Sequence, residues 1–114
     1  MHELSIAQSI VDSALEHAAR HAGRRVTRIG VRVGEISGVN AEALEFCFAL
    51  TARDTAAEGA ALDVQRVPIS QRCDRCEREF QPIDFDPACP ICGSVHTRMV
   101  EGDELALAYL ELEE

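Results

Sequence analysis

The sequence predicts an α+β protein: a small mixed sheet of about three strands with two helices, interrupted before its last strand by a cysteine-bearing lobe. Three observations predict it. The hydrophobic period switches between helical and strand-like along residues 1–70. Two Cys-x-x-Cys pairs fall together between residues 71 and 98. A final apolar run, Glu104 to Leu112, again has strand length. The organisation that follows is an α/β domain over residues 1–70, completed by a strand within 99–114, with the cysteine lobe at 71–98 inserted between the last two strands.

The elements follow in order. From His2 to His21 the apolar residues Leu4, Ala7, Ile10, Val11, Ala14, Leu15 and Ala18 form the stripe of an amphipathic helix, with Gly23 as its stop. From Val26 the period becomes two. Ile29, Val31 and Val33 face one way, Arg28 and Arg32 the other, with the small Gly30 and Gly34 on the polar side. Asn40 has the side chain of a helix N-cap, and Leu44, Cys47, Phe48 and Thr51 make a second helical stripe. Leu62 to Ile69 reads as a strand whose alternation slips between Val64 and Val67, and Pro68 marks an edge or an end. The last strand, Glu104 to Leu112, is apolar on both faces, which predicts a central position in the sheet.

The bulk properties exclude some classes. Of 114 residues, 20 are acidic and 11 basic, a net charge of −9. All the basic residues are Arg. Such a balance opposes non-specific nucleic-acid binding, which needs cationic surface, and opposes anionic membranes. No apolar run reaches the roughly 18 residues of a membrane span. The start, Met1-His2-Glu3-Leu4-Ser5, lacks the basic and apolar regions of a signal peptide. An odd count of five cysteines, four of them paired, points to a reducing cytoplasm and metal-bound thiolates rather than disulfides.

The pairs are Cys73-Asp-Arg-Cys76 and Cys89-Pro-Ile-Cys92-Gly93, twelve residues apart. Each turn brings two thiolates to one ion, and two turns close a tetrahedron. The expected metal is zinc in a ribbon-like lobe, with iron left open because thiolate sites take either. Four sulfurs leave no position for water, so the site reads as structural rather than catalytic. Phe80, Ile83, Phe85, Ile91 and Val95 are too few to fold the lobe, so metal binding supplies its folding energy. Glu77 stands where the second turn has Gly93, which makes the first turn the less ideal of the two.

His2 follows Met1 directly. The Met1 amine, the His2 amide and imidazole, and the Glu3 amide can chelate one ion in a square plane of nitrogens, a geometry suited to Ni(II) or Cu(II). Taken alone, His2 also fits a solvated terminal residue. The Met1-His2-Glu3 start, the amphipathic first helix, the run Val33-Gly34-Glu35-Ile36-Ser37 and the late double Cys-x-x-Cys resemble the HypA/HybF family over the whole chain. The resemblance implies a nickel metallochaperone for [NiFe]-hydrogenase maturation, with urease served by some relatives, and not an enzyme. It implies nickel at His2, with the Met1 amine, and with Glu3 contributing its backbone or supporting the site. Zinc would sit at Cys73, Cys76, Cys89 and Cys92. The implied partners are a GTPase of the same pathway and the hydrogenase large subunit, and a homodimer is left open. Relatives that place His beside the cysteine pairs have only His96 as a counterpart here.

Two other classes compete. A zinc-ribbon adaptor would want a basic lobe, but residues 71–98 carry four Arg against five acids. A rubredoxin-like iron carrier would want aromatic packing, and the lobe has two Phe. His17 and His21, spaced i, i+4, are candidate ligands at the edge of the first stripe, where half-buried histidines are common. His96 is a candidate substitute ligand, and Cys47 reads as a small core residue.

Overall fold

The computed structural model describes residues 3–114; Met1 and His2, on which the nickel-ligand expectations fall, lie outside the described residues. Helix α1 (Glu3–Ala19) leads to β1 (Val26–Gly34), a 3-10 turn (Glu35–Ser37) and α2 (Ala41–Thr51). Strands β2 (Ala61–Val67), β3 (Ser70–Cys73), β4 (Glu79–Phe80), β5 (Thr97–Glu101) and β6 (Leu105–Leu112) complete the chain. They form two sheets of three strands, ordered β2-β1-β6 and β4-β3-β5. The α+β class and the cysteine lobe agree with the sequence reading. Two compact units result: one gathers Val33–Ser37 with Arg66–Leu105, and the other holds α1, α2 and most of the first sheet.

In the helical unit the stripe of α1 buries Ala7, Ile10, Val11, Ala14 and Ala18. Leu4 departs from it, at 56% exposure. The Gly23 N–H donates to the Ala18 carbonyl at 2.9 Å, in the left-handed conformation that closes a helix (φ 67°). The helix therefore ends before His21, so His17 and His21 do not share one helix as the sequence spacing suggested. Asn40 caps α2 as expected: its Oδ1 accepts the Ala43 N–H at 2.9 Å. Leu44 and Phe48 are buried on α2, whereas Cys47 is half-buried.

Strand β1 takes the middle of its sheet, with Val26, Ile29, Val31 and Val33 buried. The expectation of a central last strand is wrong: β6 is an edge. Its apolar residues are half-buried at best, and Leu105 is 43% exposed. Alternation cannot tell an edge strand with an apolar exposed face from a strand covered on both sides. The second expected strand is also shorter than predicted. It breaks at Pro68, which has no N–H for a ladder, and β3 begins beyond it.

One cross-sheet contact organises the side of β1 that carries Arg28 and Gly30. The Tyr109 ring of β6 lies over Gly30 of β1, so a Cβ there would meet ring carbons, Cζ at 2.7 Å. The Tyr109 hydroxyl then donates to Asp63 Oδ2 of β2 at 2.6 Å. Arg28 and Glu111 pair beside it at 3.1 Å. The Tyr109 hydrogen bond, with help from Gln65, holds the Asp63 carboxyl below the usual range, and the same bond raises the Tyr109 phenol.

Candidate metal centre

The four cysteines reach one place from two equivalent turns. In the first, Glu77 N–H donates to the Cys73 carbonyl at 2.9 Å and Cys73 N–H to the Arg78 carbonyl at 2.9 Å. In the second, Gly93 N–H donates to Cys89 at 2.8 Å and Cys89 N–H to Ser94 at 2.9 Å. Glu77 and Gly93 have matching left-handed backbones, at φ 63° and 77°. The first turn thus adopts the geometry that its sequence disfavours. A non-glycine residue pays about 1–2 kcal/mol for that conformation.

The Sγ atoms of Cys73, Cys76, Cys89 and Cys92 all lie within 4.8 Å of one another. Cys73 and Cys92 are 3.5 Å apart, Cys76 and Cys89 3.7 Å. A tetrahedron with metal–sulfur bonds of about 2.3 Å has edges of about 3.8 Å. The residues therefore fit a four-coordinate thiolate metal. Cys73 and Cys89 are buried, Cys76 is half-buried and Cys92 exposed.

The electrostatics favour a cation here. The Cys76 N–H, against the cost of burial, brings Cys73 down to about 6. The Cys92 N–H lowers Cys89 in the same way. Cys92 is pulled down by the Ser94 N–H, but Cys73, burial and the other two sulfurs together push it up to about 11. Four sulfurs this close cannot all be thiolates unless positive charge joins them, and a bound metal supplies it. The lobe has little else to hold it together. Ile83, Phe85, Ile91 and Val95 are exposed, and Phe80 is half-buried.

Among the described residues this is the cluster able to hold a metal, and it includes none of His17, His21 or His96. His17 Nδ1 instead lies 3.0 Å from the Ser13 carbonyl oxygen. Glu3 is the one expected nickel-site residue among those described. Its Oε2 accepts the backbone N–H of Asn40 at 3.1 Å. Nothing in the sequence pattern pairs residue 3 with residue 40. The Asn40 cap was legible; its second partner was not.

Comparison with known proteins agrees with this architecture. Residues 1–112 match the family model described as "Hydrogenase/urease nickel incorporation, metallochaperone, hypA". The hydrogenase maturation factor HypA of Geobacter metallireducens is 42% identical over 113 residues, covering 99% of this chain and all of that one. The hydrogenase maturation factor HybF of Klebsiella pneumoniae is 40% identical, with 97% and 98% covered. The solution structure of the Ni metallochaperone HypA from Helicobacter pylori superposes with a TM-score of 0.68 at 26% identity, covering 98% of this chain and 97% of that one. A second HypA solution structure reaches 0.77 at 25% identity, with 99% and 97% covered. The chain belongs to the HypA family of nickel-incorporation metallochaperones, which are maturation factors and not enzymes.

Proposed function

We propose that this chain carries Ni(II) at its N-terminus and delivers it during maturation of [NiFe]-hydrogenase, while Cys73, Cys76, Cys89 and Cys92 hold a structural Zn(II). One observation carries the reading. The sulfur cluster matches a closed tetrahedron, so a metal in transit needs donors elsewhere, and the family match begins at residue 1. The Met1 amine and the His2 amide and imidazole, with the Glu3 amide, supply the nitrogen plane that Ni(II) favours. A terminal site with a single side-chain ligand releases its ion more readily than a buried cage.

The receiving partners in this reading are a GTPase of the maturation pathway and the hydrogenase large subunit, in the cytoplasm. A homodimer is compatible with it. Delivery toward urease is the second reading, favoured by the wording of the matched family's description. The test is a nickel titration of tag-free, zinc-loaded protein beside its His2→Ala variant, with metal content measured for both. One nickel in the wild type, none in the variant and one zinc in each is the expected result. Equal nickel binding by both sinks the N-terminal site.

A further inference from the structure

We infer that the four-cysteine cluster is also an oxidative modification site: a hydroperoxide attacks it at Cys92, and oxidation ends in two disulfides between the turns, Cys73–Cys92 and Cys76–Cys89, with loss of the metal. The inference rests on the metal reading of these cysteines and not on the nickel site.

The point of attack follows from exposure. Cys73 and Cys89 are buried and Cys76 is half-buried, whereas Cys92 is exposed. Its neighbours do not shield it. Gly93 has no side chain, and Ile91 and Val95 are 55% and 70% exposed. A bound metal keeps its sulfur ligands as thiolates, and the thiolate is the form that attacks a peroxide. Of the four, Cys92 is the one that solvent reaches most freely.

The pairing follows from distance and chain order. Cys92 Sγ lies 3.5 Å from Cys73 Sγ, and Cys76 Sγ lies 3.7 Å from Cys89 Sγ. Both contacts run between the two turns. A disulfide of about 2.05 Å asks each pair to close by less than about 2 Å. The pairs are also nested, with partners 19 residues apart outside and 13 inside. They can therefore form as successive rungs without threading the chain. A bond within one Cys-x-x-Cys would instead tighten a turn that backbone hydrogen bonds already close, Glu77 N–H to Cys73 in the first and Gly93 N–H to Cys89 in the second.

The chemistry balances with one peroxide for each disulfide. The Cys92 thiolate attacks a peroxide oxygen, the O–O bond breaks, hydroxide leaves and Cys92 becomes a sulfenic acid. The Cys73 thiolate then attacks the Cys92 sulfur; the S–O bond breaks, a second hydroxide leaves and the S–S bond forms. The two sulfurs lose two electrons and the peroxide gains them. The metal has then lost two of its four donors and departs. A second peroxide oxidises Cys76 and Cys89 in the same way. Oxidation thus exchanges the metal tie that folds the lobe for two covalent ones, and a thiol reductant reverses both.

The test adds hydrogen peroxide to the zinc-loaded full chain, beside a Cys92→His variant that keeps a metal donor and loses the exposed thiol. Zinc content is measured first. Zinc release is then followed with a chromogenic chelator, and disulfides are mapped by mass spectrometry of alkylated peptides. The first equivalent of peroxide should release about one zinc and give Cys73–Cys92 as the main bond, and the second should add Cys76–Cys89. Cys92→His should release zinc several times more slowly.

Main bonds within the turns, Cys73–Cys76 or Cys89–Cys92, overturn the pairing. Equal release by wild type and Cys92→His overturns Cys92 as the point of attack. If that variant holds no zinc, trapping of sulfenic acid with dimedone in the wild type decides the same question: first label on Cys92 supports it, first label on another ligand overturns it. Zinc retained while Cys47 alone is oxidised overturns the modification site. A chain that holds no zinc before any peroxide is added counts against the metal reading instead.

Discussion

Replacing Gly30 with Ala should destabilise the protein although Ala is the better strand residue. The ring of Tyr109 occupies the space where the new methyl would stand. It cannot retreat while its hydroxyl holds Asp63 at 2.6 Å. The substitution therefore forces the ring off β1 and breaks the contact across three strands. Overpacking of a filled site costs about 1–3 kcal/mol, and Ala for Gly in a strand returns about 0.5–1 kcal/mol. The net expectation is a loss of about 1–2 kcal/mol, or roughly 4–8 °C in Tm for a chain of this size. Urea denaturation of zinc-loaded protein measures it, and a double-mutant cycle with Tyr109→Ala identifies the cause. Once the ring is gone, Gly30→Ala should become neutral or stabilising. An equal cost in both backgrounds would mean that the Tyr109 ring is not what excludes a side chain at Gly30.

Three further expectations follow from the same geometry. Glu77→Gly should stabilise the metal-loaded protein by about 1 kcal/mol, because glycine enters the left-handed conformation at φ 63° without penalty; thermal unfolding at saturating zinc reads this, and a loss would contradict the equivalence of the two turns. The Asp63–Tyr109 bond should leave two marks on stability against pH. Asp63 is lowered in the fold, so its contribution is complete above the unfolded value of about 3.9 and fades as pH falls through the lower folded value; Tyr109 is raised, so its contribution is complete below about 10 and fades as pH climbs through the higher folded value. Tyr109→Phe should flatten both limbs relative to wild type in urea titrations, and parallel curves would refute the linkage. Removing the thiolate-bound metal with a chelator should cost the amides of residues 70–101 their exchange protection while those of α1 persist, since Cys73 and Cys89 are among the few buried side chains of the lobe.

What the sequence made legible was local or chemically exclusive. The stripe of α1, the Asn40 cap and the period-two β1 each rest on residues a few positions apart, where one rule decides. The double Cys-x-x-Cys was readable because few other arrangements use four thiols at that spacing. The failures were questions of tertiary order. The apolar run of β6 satisfied the pattern of a covered strand, but the sheet has three strands and β1 takes the centre. Gly30 looked like a small residue on a polar face, and its reason lies 79 positions away in Tyr109. Glu77 departed from the expected glycine, yet the two bonds closing its turn hold it in glycine's conformation. The Glu3–Asn40 bond joins two helices whose packing no period specifies.

The edge position of β6 bears on how the protein is made. Cys92 precedes Leu105 by 13 residues, so the thiol set is complete in the sequence before the strand that flanks β1 begins. A chain without β6 leaves one side of β1 with unpaired backbone groups. A message cut short between these two points would yield a polypeptide with every sulfur ligand and an uncovered β1, a species prone to aggregate rather than to lack metal.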